Sequence, residues 1–342
     1  MSGDFGLRLD DHDEALRRSW DAFEAIAPDR DLFDASVGPY ASCQTTLAAP
    51  VSAAGSGTFA GRAVRRIVLE PFADAGWWMD RTDLADSLPT RVSVRNVWTT
   101  GAIVSNIVLR SGAPHNYVRM VEHIVALKLG LGLDNVMIRL ESGDPPLFDR
   151  GSLDLVDAVE RAGLVETAVP ARRFAVRERV SLCGANGAFL ILSPPPSGAS
   201  PKLRLDVAID FPNVIGRQRV RWIVNRQGFR EVCVARTNTS FAKRLYCHTV
   251  GRLFADVRNL GYTRRNILIA GRRRYVNEPR LIHEGKSLEV VWHRAALDLL
   301  AALSLVEEGR LVGDVISYKA GHALDVRLVT LLYRRGLLEE LP

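Results

Sequence analysis

The chain has 342 residues, 47% of them hydrophobic and 25% charged, which fits a soluble globular protein of about two ordinary domains. Four cysteines without CxxC spacing exclude a zinc ribbon and a disulfide framework, and no run approaches the roughly 18 to 20 apolar residues of a spanning helix. The formal net charge of +6 and pI near 9.3 come mostly from arginine and suit a nucleic acid, an acidic membrane surface or a phosphorylated small substrate.

The first 36 residues are acidic and predict a short amphipathic helix around Ala15 to Trp20 with a loosely held lead-in, to which no chemistry is assigned. Asp10-Asp11-His12-Asp13-Glu14 argues against a signal peptide, so a reducing cytoplasm is the expected compartment and any membrane contact would be peripheral. From Gln44 to Asp83 apolar and polar residues alternate between glycine breaks, the pattern of strands joined by tight turns, and further short strands fit Val92 to Val94 and Ala102 to Val104. Val121 to Leu131 has helical spacing and ends at Gly130 and Gly132; Val136 to Leu140 reads as a strand, and a second helix fits Leu153 to Ala162 before Gly163. Strands follow at Phe174 to Val180, Phe189 to Leu192 and Leu203 to Ile209, with Ser193 to Gly198 as an exposed loop, then helix, strand and helix. The division expected is an N-terminal extension, 1–36, a first α+β domain, 37–168, and a second, 169–342, each with helices on a small, mostly antiparallel sheet. Val-Glu-His-Ile-Val-Ala-Leu-Lys-Leu from Val121 resembles Val-Trp-His-Arg-Ala-Ala-Leu-Asp-Leu from Val291, the mark of one duplicated sandwich unit with an equivalent histidine in each copy.

Three histidines stand where an imidazole could do chemistry. Glu122 and His123 open a helix, and neighbours there diverge by about 100°, so one could hold a metal while the other reaches a water beside it. The bland alternative is a glutamate favoured by the helix dipole next to a half-buried histidine. His293 begins the matching helix of the second half, and could equally be an ordinary core or surface histidine. His322 follows the strand at Ser317 through Gly321, where it could protonate a leaving amine or stabilise an oxyanion, or sit in an ordinary turn. Arg272-Arg273-Arg274 reads as the solvated tip of a hairpin, and with no recognition helix or aromatic stacking pattern no nucleic-acid partner is expected.

From Gln44 onward the chain resembles the zinc-dependent UDP-3-O-acyl-N-acetylglucosamine deacetylases of lipid A synthesis. The resemblance is carried by Gln44-Thr45-Thr46-Leu47, Gly55 to Gly61, Asp80 to Leu84, Val121-Glu122-His123, Gly130 to Asn135, Pro145 to Asp149, Ile209-Asp210-Phe211, Ala235-Arg236-Thr237, Glu289 to His293 and Tyr318 to Leu324. It implies two α+β units with helices between sheets and Zn2+ at their interface. His123 and His293 would be zinc ligands, Glu122 the general base, His322 the general acid and Thr237 a hydrogen-bond partner of the reacting oxygen. Arg294 occupies the place of the family's catalytic lysine, and Asn238, Lys319 and Phe241 fall at substrate-binding positions. The substrate would be a UDP-linked acylated amino sugar.

The third zinc ligand of the family is an aspartate four residues after the second histidine; here Leu297 stands there and Asp298 comes fifth. On a regular helix, positions four apart differ by about 40° and positions five apart by about 140°, so Asp298 reaches the metal only if a one-residue π-bulge widens the turn. Gly57-Thr58-Phe59 replaces a Gly-Leu-His turn, Asn238 a stacking phenylalanine and Asn213 a histidine, and the acid expected one turn beyond the zinc aspartate falls within Leu299 to Ala302. Two readings follow: a divergent zinc deacetylase with Asp298 as ligand, or a catalytically inactive relative that keeps the scaffold to bind a ligand or regulate a partner.

Overall fold

Alternation places Ile67 and Leu69 on one face of the strand Val64–Glu70, where both are fully buried. That strand pairs antiparallel with Val51–Gly57 on one side and Val136–Leu140 on the other, and Val136–Leu140 in turn runs parallel to Trp77–Arg81. Pro146–Leu147 and Thr90–Arg91 complete the edges of a six-stranded sheet. This computed structural model describes residues 4–33, 41–59, 63–101, 105–198, 200–240 and 261–342; the expected strand at Ala102 to Val104 and the substrate position Phe241 lie outside them.

A second sheet has seven strands in the order Leu7–Arg8, Val180–Cys183, Phe189–Ser193, Gly313–Tyr318, Leu203–Asp210, Arg217–Ile223 and Arg30–Leu32. Its strands Val180–Cys183 and Phe189–Ser193 are buried on both faces, up to Ser193, because both faces are covered there. On one face lie the helices Glu289–His293 and His322–Arg334; on the other lies the helix α1, Asp13–Glu24, from the N-terminal segment. The molecule is a mixed α+β fold, as expected, with parallel as well as antiparallel pairs in both large sheets.

The helices that matter for the site are α2 (Glu122–Val125), α3 (Leu127–Leu131), α4 (Leu153–Ala162), α5 (Arg226–Val232), α6 (Glu289–His293), α7 (Leu300–Leu303) and α8 (His322–Arg334). Helices α2 and α3 from the first half pack directly on α7 from the second, so one apolar core runs through both halves and includes Val125, Leu127, Ile138, Leu205, Leu297 and Val329. Gly130 permits the approach of α3 to α5: a Cβ there would lie 2.5 Å from the Phe229 ring. Two polar ties cross the same interface. Lys128 Nζ, buried, donates to the carbonyls of Ser304, at 3.1 Å, and Val306, and Arg310 Nε donates to Asp134 Oδ1 at 2.8 Å.

Four expectations change. In place of a strand at Val92 to Val94, the strand Thr90–Arg91 ends just before and a 3-10 turn, Val94–Asn96, begins there, with Ser93 Oγ accepting from the Arg95 amide. The single strand at Phe174 to Val180 is two, Arg173–Val176 and Val180–Cys183, in different sheets; the charged triplet Arg177-Glu178-Arg179 between them has no apolar face to bury. The lead-in before α1 is not loose: Leu7–Arg8 pairs with Val180–Cys183, and Gly6 (φ 61) lies so close to the Arg179 carbonyl that a Cβ would sit 2.0 Å from its oxygen. Finally, His293 closes α6 instead of opening a helix, and His322 opens α8 with Gly321 as its N-cap.

Candidate active site

Glu122 is the first residue of α2, with Met120 just before it held at φ 55. Lys319, three residues before His322, is held at φ 51. Left-handed backbone at non-glycine residues is costly and collects where surrounding structure over-determines geometry, and here it precedes both histidine-bearing turns. Glu122 is almost fully buried, its Oε1 accepting from the Ile107 amide at 3.0 Å.

Across the interface, α6 passes into a π-helical turn, Arg294–Leu299, before α7 begins. Bonds of the i→i+5 kind widen the turn by one residue. Asp298 Oδ1 therefore lies 3.3 Å from His293 Nδ1, while Leu297 is fully buried in the core. The rings of His123 and His293 are neighbours, tilted by 57° with centroids 5.3 Å apart. His322 joins them from a third element: its Nε2 is 3.4 Å from Glu122 Oε1 and 3.5 Å from Asp298 Oδ1. Glu122, His123, His293, Asp298 and His322, from both halves of the chain, thus form one cluster.

Burial and charge divide the labour within it. Burial pushes the Glu122 carboxyl up to about 8, with the Asp298 charge adding to the effect and the Ile107 amide opposing it. Burial pushes the His123 imidazole down to about 3, reinforced by His293. For Asp298 burial acts upward, but the imidazoles of His293 and His322 outweigh it and hold the carboxyl well below the usual carboxylate range. His322 is lowered, chiefly by burial. A carboxylate kept ionised beside a carboxyl that titrates near neutrality is the pattern of groups with separate roles.

Buried polar atoms normally have partners. Glu122 Oε2, His293 Nε2, Asp298 Oδ1 and His322 Nδ1 are buried without an aligned hydrogen bond. Two imidazoles and a carboxylate are the donors that zinc favours. Among the described residues no three His, Cys, Asp or Glu side chains are gathered round a common point as a ready-made metal cage; the donor chemistry and the unpartnered atoms, not a preformed cage, suit the cluster to a cation.

Other expected site residues stand further out. Thr237 and Asn238 are half-buried at the start of the strand Thr237–Ser240, which runs parallel to Ile267–Ala270. Lys319 is exposed, its Nζ 5.7 Å from the centre of the Tyr318 ring. Arg294 is buried against Asp325 of α8 and Ser317. A recess beside His123 is lined by Thr58, Met120, Ile124, Leu147, Phe148 and Leu155, an apolar wall with one hydroxyl. Sequence reasoning missed Asp325, which lies one turn after His322 on the same helix, and it missed the pairing of Arg236 with Glu289. There the Glu289 carboxylate accepts from Arg236 N at 3.0 Å and Nε at 2.6 Å, tying the approach to Thr237 to the first residue of α6. Arg236 and Glu289 both lay inside motifs already singled out, but nothing in their spacing couples them.

Comparison with known proteins fits this geometry. The family model for UDP-3-O-acyl N-acetylglycosamine deacetylase matches residues 44–334. The chain belongs to this family. A UDP-3-O-acyl-N-acetylglucosamine deacetylase of Brucella ovis is 30% identical over 294 residues, covering 84% of this chain and 94% of that protein. The protein of the same name from Syntrophus aciditrophicus is 28% identical over 290 residues, 84% and 85% of the two chains. All the clustered residues of this deacetylase-family chain lie inside the matched segment, whereas α1 and its flanking strands precede it. No helix among the described residues is long and apolar enough to cross a membrane.

Proposed function

We propose that the chain is a zinc-dependent deacetylase that hydrolyses the acetamide of UDP-3-O-acyl-N-acetylglucosamine or a closely related acylated amino sugar in lipid A synthesis, releasing acetate and a free amine. The observation that carries this reading is the π-helical turn at Arg294–Leu299, which compensates for the extra residue between histidine and aspartate and sets Asp298 3.3 Å from His293. His123, His293 and Asp298 would hold the metal. Zinc when bound polarises the acetamide carbonyl and acidifies a water.

The chain's own residues do the rest. Glu122, whose Oε1 lies 3.4 Å from His322 Nε2 and whose Oε2 has no partner, takes a proton from the attacking water. His322, hydrogen-bond distance or slightly more from both carboxylates, gives a proton to the departing nitrogen as the carbon–nitrogen bond breaks. Thr237 donates to the reacting oxygen. Lys319, Asn238 and Phe241 contact the substrate, the exposed lysine suiting a diphosphate. The two halves, 37–168 and 169–342, are copies of one unit that each deliver a histidine to the interface, and the free thiols of Cys43, Cys183 and Cys233 suit a reducing cytoplasm.

The test is acetate release from the UDP-linked substrate by zinc-replete protein. Glu122→Gln is expected to lower kcat by at least about 100-fold with zinc content unchanged; equal activity in the variant removes Glu122 from the mechanism. One observation favours the inactive-relative reading, the lack of a ready-made three-ligand cage among the described residues, and a zinc-loaded wild type that releases no acetate would establish it.

A further inference from the structure

Arg294 directly follows the site histidine His293, but its hydrogen bonds go to a different element. Its Nη2 donates to Asp325 Oδ1 and, at 3.2 Å, to Ser317 Oγ. Arg294 is 5% exposed, and Asp325 and Ser317 are fully buried. The three residues lie on three elements that meet behind the cluster: the π-helical turn with Asp298, the end of the strand Gly313–Tyr318, and the first turn of α8, which His322 opens. Arg294 Nε and Nη1 and Asp325 Oδ2 have no partner, and these atoms too are buried.

We infer that Arg294 and Asp325 form a buried lock that positions His322 against Asp298 and Glu122, and that Arg294 does not touch the substrate. Asp325 sits one helical turn after His322, so fixing its carboxylate fixes both the rotation and the advance of the turn that presents the imidazole. The His322 Nε2 distances to the two carboxylates, 3.4 and 3.5 Å, leave little slack, since catalytic groups must be held to within about 0.5 Å. A single nitrogen, Nη2, makes both contacts and so ties the strand end at Ser317 to the first turn of α8. An unpaired carboxylate at Asp325 is not tolerated in a dry interior, so the lock works only as a pair. The substrate-side cation is then the exposed Lys319. This assignment rests on the deacetylase reading for its catalytic consequence.

The test is a double-mutant cycle on the full chain with Arg294→Met, Asp325→Leu and the two combined. Each single variant is expected to lower kcat at least about tenfold with KM changed less than about twofold, because one buried charge is left alone and the imidazole shifts. The combined variant, apolar on both sides, is expected to restore the unfolding midpoint that the single variants lose, while its kcat stays as low as in the single variants because no contact then fixes the turn that presents His322. A combined variant whose kcat loss is the product of the two single losses, or a rise in KM of about tenfold or more in Arg294→Met, overturns the lock in favour of direct substrate contact. Additive losses in unfolding overturn it as well. Should a single variant not fold, recovery in the combined variant decides in the same way. A wild type that releases no acetate overturns the deacetylase reading instead, and the unfolding cycle then decides the lock alone.

Discussion

Individual side chains in this protein are set by what burial permits. Asp298 stays ionised in a buried position because the imidazoles of His293 and His322, helped by Arg294, outweigh burial, and of these His293 would be its fellow ligand. Asp298→Ala is therefore expected to remove most bound zinc, as read by elemental analysis, while far-UV circular dichroism is unchanged. Lys128 makes a separate statement about stability. Burial pushes its amine down to about 8 from an ordinary 10.5. Below about pH 8 the lysine is charged in both folded and unfolded chains and its desolvation opposes folding in full. Between about 8 and 10.5 the unfolded chain holds the proton more tightly, so folding stability gains as pH rises. The stability of wild type relative to Lys128→Met is expected to increase over that interval by something on the order of 3 kcal/mol, measured by urea unfolding at pH 7.5 and 10; an unchanged difference would mean the amine is solvated.

Elements show where one-dimensional pattern suffices and where it does not. The helix Leu153–Ala162 is legible end to end, because apolar spacing stops at Gly163, whose φ of 75 suits glycine. The π-helical turn is legible for a different reason: a five-residue spacing between His293 and Asp298 cannot face one ion on a regular helix, so the mismatch itself points to a wider turn. If that logic is right, deleting Ala296 restores the four-residue spacing on an ordinary α-helix and zinc binding survives the deletion; loss of zinc in a folded deletion variant would show that the wide turn is needed in its own right. The break within Phe174 to Val180 was marked by Arg177-Glu178-Arg179, but that its two pieces join different sheets was not legible, because only pairing assigns a strand to its sheet. Nor was the Arg294–Asp325 contact, which joins residues far apart in the chain with no shared period. Lys319 at φ 51 is in left-handed backbone that costs a non-glycine residue about 1–2 kcal/mol, and the larger unfolded-state entropy of a glycine offsets about 0.4–1 kcal/mol of that, so Lys319→Gly is expected to change stability by no more than about 1 kcal/mol while weakening substrate binding, seen as a higher KM.

At the scale of the whole molecule, the N-terminal segment is an addition to the matched family region, 44–334. It supplies both edge strands of the seven-stranded sheet, Leu7–Arg8 beside Val180–Cys183 and Arg30–Leu32 beside Arg217–Ile223, and crosses the outer face as α1 between them. The five inner strands thus have no open edge, and the edges that remain are short. Phe5, Leu16 and Phe23 seal a second apolar cluster with Phe189, Ile191 and Tyr318, and Tyr318 ends the strand that leads to His322. Phe23→Ala should cost about 3–5 kcal/mol of stability, by denaturant unfolding; a loss below about 1 kcal/mol would mean that the segment packs loosely. Proposed as an enzyme, the chain needs His123 from one half and His293 and Asp298 from the other to share one cation. Elemental analysis of purified, zinc-replete wild type tests it most directly: about one tightly held zinc per chain is the result this account requires, and a folded chain with none contradicts it.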